Sequence, residues 1–202
     1  MAGNLNPSEI YMESFNYIRN TMNLDDSLKS QIIIRAVHAT ADFDIGRSLV
    51  FSSGFQVAIK YLKAEKTIIT DINMVKAGIS GYTNVKCYIS DEGIKKQARE
   101  SGVSRAYLSM KKACRENPNA IFIIGDAPTA LLALLDSVKS GVCKPAFIVA
   151  VPVGFVSSIE SKSMLLGWDG NYITNLIRKG GSALACAIIN ALLLNKENPA
   201  SQ

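Results

Sequence analysis

The stretch Ala120-Ile121-Phe122-Ile123-Ile124-Gly125-Asp126-Ala127-Pro128-Thr129-Ala130-Leu131 decides the fold. An apolar run of strand length stops at a glycine, and a proline then opens a helical pattern reaching Val138. A strand that is apolar at every position suits a sheet covered on both faces. Proline fits the first helical position, where its missing N–H has no partner to lose. The same unit recurs outward from this point. Thr67 to Thr70 leads through Asp71-Ile72-Asn73-Met74-Val75 into a helix, and Val85 to Ile89 leads into one capped by Ser90 or Asp91. Two helical stretches then end near Asn117-Pro118, and Ala146 to Val151 is a further strand. Ser157-Ser158-Ile159-Glu160 reads as a capping box for the helix after it. Strands alternating with helices predict an α/β fold, a mainly parallel sheet between two helical layers.

The N-terminal portion is helical instead. Asn6-Pro7-Ser8-Glu9 is a helix start, followed by an apolar stripe of Tyr11, Phe15, Ile18 and Met22 with Ser14 beside it. Asp25 or Asp26 opens a second helix, and Ser53-Gly54-Phe55-Gln56 opens another that runs to about Ala64. Without a repeat, low-complexity tract or linker, residues 1–202 are expected to form a single domain.

Composition narrows the function. A hydrophobic share of 48% against 19% charged residues describes a globular chain. The net charge of +5 suits an anionic partner. Nucleic acid is not expected, because no basic run exceeds Lys95-Lys96 or Lys111-Lys112 and aromatic stacking platforms are few. Cys87, Cys114, Cys143 and Cys186 form no Cys-x-x-Cys pair, so zinc ligation and a secreted disulfide framework are not expected either. The polar start Gly3-Asn4-Leu5-Asn6-Pro7 lacks a signal-peptide pattern, and the apolar stretch from Ala183 to Leu194 is too short to span a bilayer. A cytoplasmic protein without a membrane partner is expected.

His38 is the only histidine, which rules out a two-histidine metal site or a histidine relay within one chain. It follows Arg35 at i+3 in Ile32-Ile33-Ile34-Arg35-Ala36-Val37-His38, so both side chains lie on one helical face. Asp42 stands four residues on, in a polar stretch where the helix ends. Imidazole is the natural proton donor or acceptor near neutral pH, although a lone histidine on an apolar helix is often a hydrogen-bonded core residue.

In folds of this class ligands lie outside the carboxyl ends of the strands. The Gly125 to Thr129 loop offers free first-turn amides there. Val151-Pro152-Val153-Gly154-Phe155-Val156 makes a tight loop leading to Glu160-Ser161-Lys162. Arg178-Lys179-Gly180-Gly181-Ser182 places two cations before a glycine turn and a helix start, an anion receptor. Each segment also satisfies the plain need of any connection for turn residues. Gly-x-Gly-x-x-Gly, P-loop and Gly-x-Ser-x-Gly motifs are all missing.

Taken together, these segments resemble the precorrin-8X methylmutase family, also called precorrin isomerases. The resemblance runs from Ile10-Tyr11-Met12-Glu13-Ser14-Phe15 through Arg35-x-x-His38-Ala39 and Asp71-x-x-Met74-Val75-x-x-Gly78-Ile79. It continues through Gly125 to Leu131, Pro152 to Val156 with Glu160-Ser161-Lys162, and Arg178 to Ser182. It implies an isomerase of cobalamin biosynthesis that moves a methyl group from ring carbon 11 to ring carbon 12 of a tetrapyrrole. The corrinoid product is hydrogenobyrinic acid or its cobalt counterpart, cobyrinic acid. The family's proton donor or acceptor matches His38, and its substrate-binding serine and arginine match Ser14 and Arg35. Thr129, Lys162, Arg178, Lys179 and Ser182 are expected to meet the substrate's acetate and propionate groups. No cofactor or protein-bound metal is implied, and a homodimer with its site near the interface is. Asp126, Ile177 and Ala41 depart from the residues common in the family, Asn at the first and Gly at the other two. Two alternatives compete with this reading: a tetrapyrrole carrier without chemistry, and an unrelated α/β enzyme acting on a phosphorylated metabolite.

Overall fold

The computed structural model describes residues 6–196; the polar start before Asn6 lies outside them. Asn6 caps α1 (Pro7–Met22) by accepting the Ser8 amide on its side chain, as the start signal requires. α2 (Leu28–Thr40) begins later than expected. Ser27, not Asp25 or Asp26, caps it by accepting from the Ser30 amide. Asp25 instead braces that cap, accepting from the Ser27 and Ser30 hydroxyls and the Ser27 amide. These donors hold its carboxyl down at about 2. α3 (Phe43–Ser48), β1 (Leu49–Phe51) and α4 (Val57–Lys63) follow.

The alternating part then runs β2 (Ile68–Thr70), α5 (Asn73–Gly78), β3 (Val85–Cys87), α6 (Glu92–Ser101) and α7 (Arg105–Glu116). It continues with β4 (Ile121–Ile124), α8 (Pro128–Lys139), β5 (Phe147–Ala150), α9 (Ser158–Leu165), β6 (Tyr172–Asn175) and α10 (Ser182–Lys196). The six strands order as β1-β6-β5-β4-β2-β3, all parallel except β1, which pairs antiparallel with β6.

The residues of β4 explain why that strand is apolar throughout. Ile121 and Ile123 join the core beneath α1, α2, α4, α5 and α10. Phe122 and Ile124 join the core beneath α7, α8 and α9. Phe122 is fully buried, so removing its ring would cost about 3–5 kcal/mol. α10 resolves into the core rather than onto an exposed face: Leu184, Ala185, Ile188, Ile189 and Leu192 are all fully buried.

Two features orient the functional end. The chain moves outward from β2 to β3, then returns to the other side of β2 with β4, so the order reverses between β2 and β4. α2 lies antiparallel against α10: Gln31 near the start of α2 bonds Asn195 near the end of α10. The end of α2, with His38, is thereby brought to the start of α10 and the carboxyl ends of the strands. Among the described residues, no helix is long and apolar enough to cross a membrane. Cys114 and Cys143 are buried thiols, Cys87 and Cys186 half-buried ones.

Candidate active site

α1 and α2 pack side by side and bring one histidine, one serine and one arginine together. Ser14 Oγ lies 2.9 Å from His38 Nδ1. The edges of Tyr11 and Phe15 enclose the imidazole, with ring centroids 4.8 Å and 5.2 Å away. Arg35 sits 5.4 Å over the Phe15 ring and reaches the Tyr11 hydroxyl at 3.4 Å. The aromatic stripe of α1 therefore has two tasks. Its inner positions, Ile18 above all, bury against the core, while Tyr11 and Phe15 wall the polar cluster. His38 and Arg35 are both half-buried, supported on one flank and open on the other.

Asp42 does not complete this cluster, despite standing four residues after His38. Ala41 ends α2 in the left-handed region at φ 51°, and Asp42 caps α3 by accepting from the Asp44 and Ile45 amides. Its carboxylate pairs with Lys179 at 2.6 Å, which holds it below the usual carboxylate range. Lys179 also reaches Asp44 at 3.3 Å. Lys179 and the exposed Arg178 line a cleft of about 560 Å³ with Arg47, Asp44 and Ile177.

The strand-end loops are where the structure departs most from expectation. The loop amides between β4 and the first turn of α8 are already engaged. Asp71, fully buried after β2, accepts from Gly125 N at 3.1 Å, Asp126 N at 2.8 Å and Ala127 N at 2.9 Å. This carboxylate spans the point where strand order reverses, the position at which doubly wound sheets receive a ligand's anion. Burial pushes its carboxyl upward, opposed by the three N–H donors that favour the ionised form. Asp126 is exposed, and its own backbone amide is one of those three donors.

Lys162 requires a second correction. It was expected to contact substrate, but it is completely buried. Its ammonium donates to the Pro152 carbonyl at 3.1 Å, to Asn175 Oδ1 at 3.0 Å, to the Ile177 carbonyl and weakly to the Lys179 carbonyl. Burial draws its pKa down to about 8. Lys162 thus ties the loop after β5 to the turn after β6 from inside. The capping box read at Ser157 is also not formed: Ser157 has φ 59° and makes no side-chain cap, while Ser158 Oγ donates to the Pro152 carbonyl.

The three loops nonetheless converge as their composition suggested. The Gly181 amide donates to the Val151 carbonyl at 2.9 Å, and the Gly154 amide to the Arg178 carbonyl at 3.1 Å. A side chain on Gly180 would place its Cβ 2.2 Å from the Val151 oxygen. One on Gly125 would meet Val75, Ala185 and the Ser182 backbone within 3.1 Å. Only glycine permits these approaches. Ser182 is half-buried at the start of α10, and Thr129 Oγ1 lies 2.9 Å from Ser104 Oγ at the start of α7. Asp71, Tyr11 and Phe15 entered the sequence reading only as parts of a motif and an apolar stripe, with no place in the site assigned to them. A lone carboxylate directly after the apolar run of β2 was the available signal for the first.

Comparison with known proteins gives the family. A family model described as precorrin-8X methylmutase matches residues 9–195. Cobalt-precorrin-8 methylmutase from Priestia megaterium is 37% identical over 92% of this chain and 87% of its own length. Precorrin-8X methylmutase from Pseudomonas aeruginosa is 34% identical over 93% of this chain and 95% of its own. The solved structure of precorrin-8x methyl mutase from Thermus thermophilus superposes with a TM-score of 0.83 at 30% identity, covering 94% of this chain and 96% of that one. These relatives are methylmutases by name and lend nothing to the carrier reading. The chain belongs to the precorrin-8X methylmutase family, isomerases of cobalamin biosynthesis.

Proposed function

We propose that this chain, working as one domain, moves a methyl group between adjacent carbons of a corrin precursor, ring carbon 11 to ring carbon 12, with His38 as the proton donor and acceptor. The observation that carries the assignment of roles is the Ser14–His38 contact at 2.9 Å beside Arg35. Ser14 engages Nδ1, so Nε2 is the atom left to face substrate. A proton passed from Nε2 to the conjugated macrocycle makes the migrating bond electron-poor. After the methyl group has moved, the same nitrogen takes the proton back, and no net proton or electron is consumed. Tyr11 and Phe15 keep water from the imidazole's flank, and Arg35 holds a peripheral carboxylate with charge-assisted hydrogen bonds. Arg178, Lys179, Thr129 and Ser182 supply polar contacts along the rim of the loops.

The working form is a homodimer in the cytoplasm. Supporting the dimer, Phe155 and Val156 are 88% and 81% exposed at the tip of the loop after β5, an apolar surface suited to a second copy. Light scattering on the purified chain tests this part, and a monomer at micromolar concentration would refute it. For the chemistry, His38→Ala is expected to bind hydrogenobyrinic acid with wild-type affinity while losing turnover of precorrin-8. Full activity in that variant would end the assignment.

A further inference from the structure

α6 and α7 enclose a cleft of about 650 Å³ lined by Lys95, Ala98, Arg99 and Arg105. Lys95 is matched by Glu92 at 2.7 Å. Arg99 and Arg105 take part in no ion pair and no side-chain hydrogen bond among the described residues. Two guanidiniums facing one cavity without a counter-charge repel each other, and an anion with several carboxylates relieves both at once.

The place of the cleft in the fold says which anion it suits. Ser104 precedes α7 but does not cap it; its hydroxyl meets Thr129 Oγ1 in the first turn of α8, directly after β4. The start of α7, and Arg105 with it, therefore stands at the carboxyl ends of the strands. His38 reaches that same end from the opposite helical layer, as the pairing of Lys179 with Asp42 fixes it. A macrocycle lying across this end, with its acid side chains radiating outward, presents carboxylates to both layers.

We infer that the Lys95–Arg99–Arg105 cleft is a carboxylate receptor for the peripheral acid groups of the macrocycle, on the side of the sheet away from His38. The inference rests on the methylmutase reading. Arg99 and Arg105 position the ring and discriminate for its acids, and Ser104–Thr129 joins this receptor to the strand-end loops. Both arginines are exposed, so replacing them leaves the core intact.

The test is an absorbance titration of wild type, Arg99→Gln, Arg105→Gln and the double variant. The probes are hydrogenobyrinic acid and a derivative whose peripheral acids are amides. Each substitution should weaken binding of the acid by about tenfold and leave binding of the amide unchanged. Wild-type affinity for the acid in the double variant, or equal losses for acid and amide, would overturn the inference. Citrate that binds wild type but not the double variant, with macrocycle affinity unaffected, would assign the cleft to a free carboxylic acid and overturn it as well. Failure of the wild type to bind either macrocycle would strike the methylmutase reading itself, and this inference with it.

Discussion

Two regions at one end of the sheet use ionisable groups in opposite ways. In the α1–α2 cluster, His38 and Arg35 are half-buried and engage one hydroxyl each, keeping most of their hydrogen-bonding capacity for a ligand. In the strand-end loops, Asp71 and Lys162 are fully buried and spend theirs on the protein, three amides for one and a set of backbone and side-chain oxygens for the other. The first arrangement is suited to meeting substrate. The second holds the strand-end turns in one shape, because a buried charge stripped of its partners is costly. Charge near an active site is therefore no guide to contact with substrate; what the charge is already bonded to decides it.

The largest expected effect comes from the open cluster. Replacing His38 with Phe should lower kcat by about 10²–10⁴-fold with little change in melting temperature, read by steady-state kinetics beside thermal denaturation. The braced region should answer in reverse. Asn in place of Asp71 keeps one acceptor oxygen but turns an NH2 towards the loop amides, leaving buried donors unpaired. That change should cost about 2–4 kcal/mol of stability by urea unfolding, and a cost near zero would mean the loop holds itself.

Lys162 sharpens the contrast through pH. Its folded pKa of about 8 lies below the ordinary 10.5, so the unfolded chain binds this proton more tightly and protonation opposes folding. Stability should rise relative to Lys162→Met between pH 8 and 10.5, the window set by those two values. A constant difference between the two proteins across that window would show that the surrounding carbonyls fully compensate the buried charge. The smallest effect is expected at Lys179. Lys179 and Asp44 are exposed and Asp42 is half-buried, so Lys179→Ala should cost at most about 1 kcal/mol of stability and weaken product binding only several-fold, most clearly at low salt.

Much of this was legible in the residues, and the exceptions share a cause. The alternation of apolar runs with Gly- and Pro-marked turns located β2, β4, β5 and the helices between them, since each unit carries its own local signal. The i, i+3 spacing placed Arg35 and His38 on one face. β1 and β6 were not visible because β1 is defined by its antiparallel register with a distant partner, Leu49 against Asn175, and β6 ends in Thr174 and Asn175 in place of an unbroken apolar run. Ser27 displaced Asp25 as the cap of α2 because both residue types fit that role and only the turn geometry chooses between them. Lys162 and Arg178 looked alike as cations beside strand-end loops, yet one points into the protein and the other out. Burial of a side chain depends on packing between elements far apart in sequence, and no local pattern encodes it.

In the proposed function His38 performs the chemistry while Asp71 shapes the site, and one paired measurement tests that division. Turnover of precorrin-8 and binding of hydrogenobyrinic acid should be measured for His38→Ala and Asp71→Asn side by side. The prediction is that His38→Ala keeps its affinity and loses kcat, whereas Asp71→Asn loses affinity and keeps most of its kcat at saturation. If His38→Ala turns over at the wild-type rate, or if both variants lose affinity alike with kcat preserved, this division of labour is wrong.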